Sequence, residues 1–443
     1  MKGNKKMNKK KNYVSVTTLE GIPKITEAIP LSLQHVVAMI VGCITPAIIL
    51  SGGAGLSPED GIRLIQASLL ISGIATLVQL FPICRFCGSG LPVIMGASFA
   101  HVPLLIALGA ELGLPTVLGA QLVGGFVAIF VGIFYVKLSK IFTPIITGTV
   151  VFTIGLSLYP TAVNYMAGGI GAEDFGSVKN WGVAIFTLII VVFFNYFTKG
   201  IYKMSSILIG IGAGYVLSLV LGMVDFSGIQ NASWFQFTGP LYFGLKFDIT
   251  AIISMSVMYI VGSLEIMGDF TSAAGGGLGR KVSEKEMSGG IIGNGIVSII
   301  GSLFGGLPTA TFSQNIGIVI MTKVVNRVVL GLAAILITCA GLIPKFSAIL
   351  TTIPSCVLGG ATISVFAMIA MTGIKLVMQE GLTTRNTAIV GLSVALGIGA
   401  IQVADCFVGF PSWAQTILGT SPVVITTLTA VLLNLTLPKN LEE

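Results

Sequence analysis

Two carboxylates four residues apart, Glu265 and Asp269, stand inside an otherwise apolar stretch. An i, i+4 pair shares one face of a helix. An acid inside a membrane span costs about 2.5–3.5 kcal/mol on insertion scales, so its presence points to a task. Such a pair can accept hydrogen bonds from a ligand, hold a proton, or both. Asp269 lies towards the inner end of its stretch, where a wet interfacial carboxylate is the plainer explanation. Ser313, Gln314 and Asn315 follow in a second segment. An amide carries donors and an acceptor, so Gln314 can read the edge of a heterocycle. The plainer use of such amides is to tie helices together. Asn294, with glycine on both sides, suits either use, and His35, next to Gln34, suits the second. His101 follows the start of a broken span and could border a cavity.

Several chemistries are excluded. No HExxH, no paired CxxC motifs and no carboxylate cluster suggest a metal. No nucleophile–base pair suggests an enzyme, and no cofactor is expected beyond a coupling ion. Cys84 and Cys87 form a lone CxxC without a nearby histidine, and read as reduced thiols on a reducing side. The glycine-rich run 275–279 lacks the Lys and Ser/Thr of a phosphate loop and reads as a flexible inner loop.

The elements that must hold these residues are membrane spans. Only 9% of the 443 residues are charged, against 54% apolar, and mean hydropathy is +0.97. Soluble domains carry about 25% charge. Apolar stretches of spanning length occupy 28–50, 62–81, 91–108, 114–136, 141–159, 181–197 and 205–223. After a polar-aromatic loop come 249–270, 288–305, 312–324, 328–343, 354–376, 386–402 and 422–437. The expected fold is an all-α polytopic membrane protein of fourteen segments.

Basic residues test this count. With the lysine-rich arm 1–27 in the cytoplasm and each span switching sides, all but four of the 24 lysines and arginines fall inside. The exceptions are Arg63, Lys179, Lys246 and Lys345. Both termini are therefore expected in the cytoplasm. The net charge of +7 marks topology and contact with anionic lipid, so nucleic acid is not expected as a partner.

Gly90-Leu91-Pro92 opens the third segment and Gly306-Leu307-Pro308 the tenth, 216 residues apart. Seven spans per half is odd, so two such halves must be inverted relative to each other. Matching interrupted segments in inverted repeats point to a transporter's binding site. The prolines favour short extended pieces leading into half-helices. Half-helix starts offer free N–H groups to a ligand. By position these are Ala97, Ser98 and Phe99 in one half, and Ser313, Gln314 and Asn315 in the other.

Residues Gln314 to Lys323, with Asn315, Gly317, Thr322 and Lys323 at the fixed places, resemble the signature of the nucleobase–ascorbate transporter family. Gln34-His35 is similar to that family's Gln-His pair, and Glu265-Ile266-Met267-Gly268-Asp269 to its Glu-x-x-Gly-Asp stretch. The resemblance implies a core domain (28–140 and 246–345) and a gate domain (141–245 and 346–437), between the arm and a cytoplasmic tail, 438–443. It implies a plasma-membrane homodimer that takes up a nucleobase by proton or sodium symport with an elevator-like shift. Glu265 and Gln314 would bind substrate, with Phe99, Ser98, Ser313 and Asn315 beside them. Gln314, where the family's uracil carriers tend to have Glu, favours an oxopurine: xanthine or urate, with guanine as a further option. Asp269, and after it Glu265, would handle the proton. His35, Gln34, Asn294 and Thr322 would support the site. Asn294 departs from the Asp that purine carriers often have there. The other readings are a uracil or sodium-coupled carrier of the same family, and an anion transporter of similar architecture.

Overall fold

The computed structural model describes residues 13–438, apart from 85, 139–142, 227–228, 230–232, 404, 412–413, 416–417 and 420. Most of the basic arm, the tail beyond 438, and the expected inner cations Arg85 and Lys140 lie outside the described residues. The chain is mostly helical. Among the described residues, nine helices are each long and apolar enough to cross a membrane.

The first half contains α1 (Ile25–Gly53), α2 (Pro58–Leu80), β1 (Met95–Ala97), α3 (Val102–Leu112), α4 (Leu114–Ile133) and α5 (Tyr135–Leu138). It continues with α6 (Pro144–Met166), α7 (Val178–Phe197), α8 (Gly200–Met204) and α9 (Ser206–Val220). The second half contains α10 (Ile249–Ser272), α11 (Glu284–Phe304), β2 (Thr309–Thr311), α12 (Ser313–Thr322), α13 (Arg327–Gly341) and α14 (Pro344–Thr351). It ends with α15 (Ser355–Met378), α16 (Thr384–Gln402) and α17 (Pro422–Thr436). Polar residues fix several helix starts. Asp248 accepts from the N–H groups of Thr250 and Ala251, and Ser283 and Glu286 close a capping box on α11. Gly305 ends α11 in the left-handed region at φ +79°, a conformation glycine adopts freely.

The helices pack as two groups. In one, α2 lies against α13, α4 against α10 and α11, and α1 against α2 and α13. In the other, α6 lies against α15, α7 against α9 and α15, and α16 against α17. Contact between the groups runs mainly through α10 with α6 and α1 with α9. The first group is knitted at its centre by two short antiparallel strands, which pair Met95 with Thr311, Gly96 with Ala310 and Ala97 with Thr309. Met95 and Thr311 are 216 residues apart, so each stands opposite its own counterpart and the crossing has local two-fold character. Beyond the strands, Phe312 N–H donates to Ile94 O at 2.9 Å. A Cβ on Gly96 would stand 2.1 Å from the Phe312 ring, so only glycine admits that close passage.

The structure departs from the sequence expectations in three places. In the third segment, Ala97 is in strand and the helix begins only at Val102. Pro103 suits a first turn, where a missing N–H costs nothing. Residues 344–351 form a helix bent 83° from α13, started by Pro344. The glycine run expected as a loop instead continues α10 as a π-turn, Ala273–Gly277. Its lack of side chains lets Ile320 and Val319 of α12 pack directly on it.

Before α1, residues 14–22 form a strap. Val16 O accepts from the N–H groups of Val325 and Asn326, and Leu19 O from that of Arg327. Arg327 also donates to the buried Gly90 O and, at 3.1 Å, to Glu20. It therefore joins the strap, the start of α13 and the entry to the third segment. Arg327→Met strips a buried carbonyl of its donors, at about 1–3 kcal/mol. It should lower the thermal-unfolding midpoint in detergent, and an unchanged midpoint would contradict this anchoring.

Candidate functional site

Asp269 sits one turn after Glu265 on α10. Thr311 and Ser313 donate their hydroxyls to its two oxygens, the Ser313 bond measuring 2.8 Å. The acid is thus strapped to the end of β2 and the first residue of α12. On the neighbouring helix, Asn294 Oδ1 accepts from Thr309 at 2.7 Å. Thr309 and Thr311 are alternate residues of one strand, so their side chains share a face. Sequence reasoning missed both threonines. The available signal was the Thr-Ala-Thr alternation after Pro308.

Glu265 is placed differently. Its Oε2 is buried without a hydrogen-bond partner. With Asp269 and Ser313 it lines a cavity of about 30 Å³, closed from the other packing group by Val151 of α6 and by Ile369 and Thr372 of α15. Gln314 points elsewhere. With Phe99 and Phe312 it lines a second cavity of about 10 Å³, against Gly42 of α1 and Thr362 and Val365 of α15. Phe99 meets Phe366 of α15 edge to face at 5.5 Å between centroids. Glu265 and Gln314 therefore open onto two small cavities on either side of the start of α12, both on the seam between the packing groups. A water needs about 10–15 Å³, so these spaces suit a water or two and a bicyclic ring requires the seam to part.

The remaining residues face the scaffold. Asn315 is buried; its Nδ2 donates to His35 O at 3.1 Å and faces His35 Nδ1 at 3.2 Å, tying α12 to α1. Gln34 is half-buried beside His35. Ser98 N–H donates to Pro308 O, and its hydroxyl pairs with His101 Nδ1 at 2.9 Å. The His101 ring rests edge-on against Tyr259 of α10. Thr322 bonds Ile318 O and closes the far end of α12, away from both cavities. Asn294 reaches the strand and lines neither cavity.

Chemically, the seam combines an open carboxyl oxygen, a second carboxyl held by two hydroxyls, an amide, and the first-turn N–H groups of α12. Those N–H groups have no preceding carbonyl within their helix and carry partial positive charge. The arrangement suits a polar planar ligand with N–H donors near Glu265 and carbonyl oxygens near the helix start.

Comparison with known proteins places the chain in a family. Residues 26–406 match the profile described as Permease family, Xan_ur_permease. The chain is 38% identical to the xanthine permease of Bacillus subtilis (strain 168), over 92% of this chain and 93% of that one. It is 37% identical to the uric acid permease PucK of the same organism, over 91% and 94%. Identity to the xanthine permease XanQ of Escherichia coli (strain K12) is 35%, over 95% and 93%. Among solved structures, the transmembrane domain of the cyanobacterial bicarbonate transporter BicA aligns with a TM-score of 0.54 at 15% identity, over 92% of this chain and 97% of that one. The murine anion transporter Slc26a9 aligns with a TM-score of 0.59 at 11% identity, over 94% and 69%. These two share the fold. The apolar helices, the profile match, and relatives named as xanthine and uric acid permeases that align over more than nine-tenths of both chains make this chain a multi-pass membrane transporter of the nucleobase–ascorbate transporter family.

Proposed function

We propose that the protein takes up a purine nucleobase, xanthine or uric acid with guanine as a third option, by proton symport across the plasma membrane. The observation that carries this reading is the partnerless Glu265 oxygen on the seam, in a chain whose relatives are named for xanthine and uric acid. An oxopurine edge has adjacent ring N–H donors. Glu265 accepts from them, and a charged acceptor makes the stronger bond. Gln314 reads a mixed donor and acceptor edge, and the α12 first-turn amides take a carbonyl oxygen.

The fourteen segments form two inverted sevens, with both termini cytoplasmic. The group around α10 to α13 acts as the core and the group around α6 and α15 as the gate. Core and gate shift past one another in an elevator motion within a homodimer, opening the seam to each side in turn. Support comes from the two packing groups, their thin contact, and the crossing where Met95 meets Thr311. The coupling proton travels inward together with the substrate, while Asp269 holds α12 in place through Thr311 and Ser313. An inorganic anion suits this seam poorly, because two carboxyls line the larger cavity.

Uptake of radiolabelled xanthine, competed by unlabelled urate, guanine and uracil with and without a protonophore, tests the reading. Urate should compete, uracil should not, and the protonophore should stop accumulation. Turnover of substrate without net movement would sink the proposal. Gln314→Glu puts an acceptor-only group on a mixed edge, at about 1–3 kcal/mol. Xanthine uptake should fall roughly tenfold to a hundredfold and uracil should begin to compete. Unchanged selectivity would remove Gln314 from the reading edge.

A further inference from the structure

The Cys84–Cys87 motif is used by none of this chemistry, yet the fold gives it a defined geometry. The two residues form an antiparallel bridge across a tight turn. Cys87 N–H donates to Cys84 O at 3.3 Å, and Ile83 N–H to Cys87 O at 3.1 Å. Residues directly opposite in such a bridge project their side chains to the same face, with Cβ atoms about 4.5–5.5 Å apart. A turn closed by an i, i+3 hydrogen bond keeps the end Cα atoms within about 7 Å; a disulfide needs Cα atoms about 4.4–6.8 Å and Cβ atoms about 3.5–4.5 Å apart, so closure draws the two side chains slightly together. Both thiols are free.

The pair is also asymmetric. Cys84 is exposed, whereas Cys87 is 5% exposed. Burial and the neighbouring Cys84 push the Cys87 thiol above its ordinary value, and Cys84 is the thiol that a reagent can reach. This is the layout of an attacking and a resolving cysteine. The base of the hairpin is pinned: Gly88 N–H donates to Gly289 O of α11 at 2.8 Å. A Cβ on Gly289 would stand 2.7 Å from Gly88 O. Two residues later Gly90 opens the third segment, held by Gln79 and Arg327. The loop bearing the cysteines therefore leads straight into the strand crossing.

We propose that Cys84 and Cys87 form a reversible dithiol–disulfide site that takes its oxidising equivalents from low-molecular-weight disulfides and slows transport when closed. Cys84 thiolate attacks one sulfur of the reagent disulfide and expels one thiolate, leaving a mixed disulfide. Cys87, once deprotonated, attacks the Cys84 sulfur and expels the second thiolate. Two electrons pass from the cysteine pair to the reagent, and the two thiol protons go to the released thiolates or to water. At rest in a reducing compartment the pair is a dithiol. Closure is favoured because the turn already holds the two residues opposite each other, so little chain entropy remains to be lost. The closed ring constrains the lead into Gly88 and Gly90, and through it the strand crossing whose Thr311 holds Asp269 beside the start of α12.

The full-length protein in membrane vesicles tests this. Vesicles are treated with glutathione disulfide, and the peptide spanning 83–90 is followed by mass spectrometry. In the wild type it should lose two hydrogens, regain them with a dithiol reductant, and show a reversible several-fold fall in initial xanthine uptake. In Cys87→Ser a glutathione adduct should persist on Cys84 without that reversible closure. In Cys84→Ser the remaining thiol should stay unmodified. A wild type that keeps both thiols free, retains the adduct as Cys87→Ser does, or closes without any fall in uptake overturns the proposal. The mass readout needs no transported substrate, so a failure of the xanthine assignment would be seen separately, as no uptake before oxidation.

Discussion

Glu265→Gln should abolish xanthine uptake while the protein still reaches the membrane. Among the described residues, the Glu265 carboxyl is the one acid on the seam with a buried oxygen that no protein group satisfies. Its neighbour Asp269 is engaged at both oxygens by Thr311 and Ser313. A buried acceptor left open in the resting fold costs about 1–3 kcal/mol, a cost that substrate donors remove. Two hydrogen bonds to a charged acceptor contribute about 1.5–3 kcal/mol each. Replacing the carboxylate with an amide turns one acceptor into a donor that faces substrate donors. The expected loss in uptake efficiency is about 10²–10⁴-fold. The fold should survive, because the side chain anchors no other element. The measurement is initial uptake rate alongside surface expression, with thermal unfolding in detergent as the control. Normal uptake at normal expression would remove Glu265 from the site. Loss of expression would instead assign it a structural role.

How much of this was legible in the sequence depended on whether the signal was local. The long helices could be read because a span must be apolar for its whole length. The observed α2, Pro58–Leu80, lies close to the expected 62–81. The Glu265–Asp269 pair could be read because acids are costly in lipid and the i, i+4 spacing fixes their common face. The interrupted segments could be read from proline placement and the repeat offset. What stayed hidden depended on contacts distant in sequence. Nothing local says that Asp269 is already taken by Thr311, 42 residues away, or that Val16 pairs with Val325 and Asn326. The glycine run was misread as a loop because its missing side chains serve packing against Ile320, which the sequence does not display. The resemblance implies that Gln314 and Glu265 face one ligand, and the fold sets them on two separate cavities.

The second large effect concerns Asp269, and it separates an anchor from a proton carrier. Its carboxylate draws Thr311 and Ser313 together, fixing where β2 ends and α12 begins. The first-turn amides that face the seam take their position from that junction. Asp269→Asn exchanges two bonds to a charged acceptor for weaker neutral ones and leaves one hydroxyl poorly matched. The expected penalty is about 2–3 kcal/mol, read as roughly a 30–150-fold fall in xanthine uptake. Thr311→Val should lower uptake in the same direction by a smaller factor. If Asp269 acts through Thr311, the double variant should do little worse than Asp269→Asn alone, because contacting residues share one interaction energy. A proton carrier would behave otherwise. Asp269→Asn would then remove proton-driven accumulation while sparing exchange of labelled for unlabelled xanthine, and Thr311→Val would add to it independently. Uptake and exchange in the two single variants and the double variant distinguish these outcomes. The hydrogen-bond geometry favours the first: an acid whose two oxygens already accept from fixed hydroxyls is placed to hold the start of α12, and the open oxygen of Glu265 is the one left to accept a further donor.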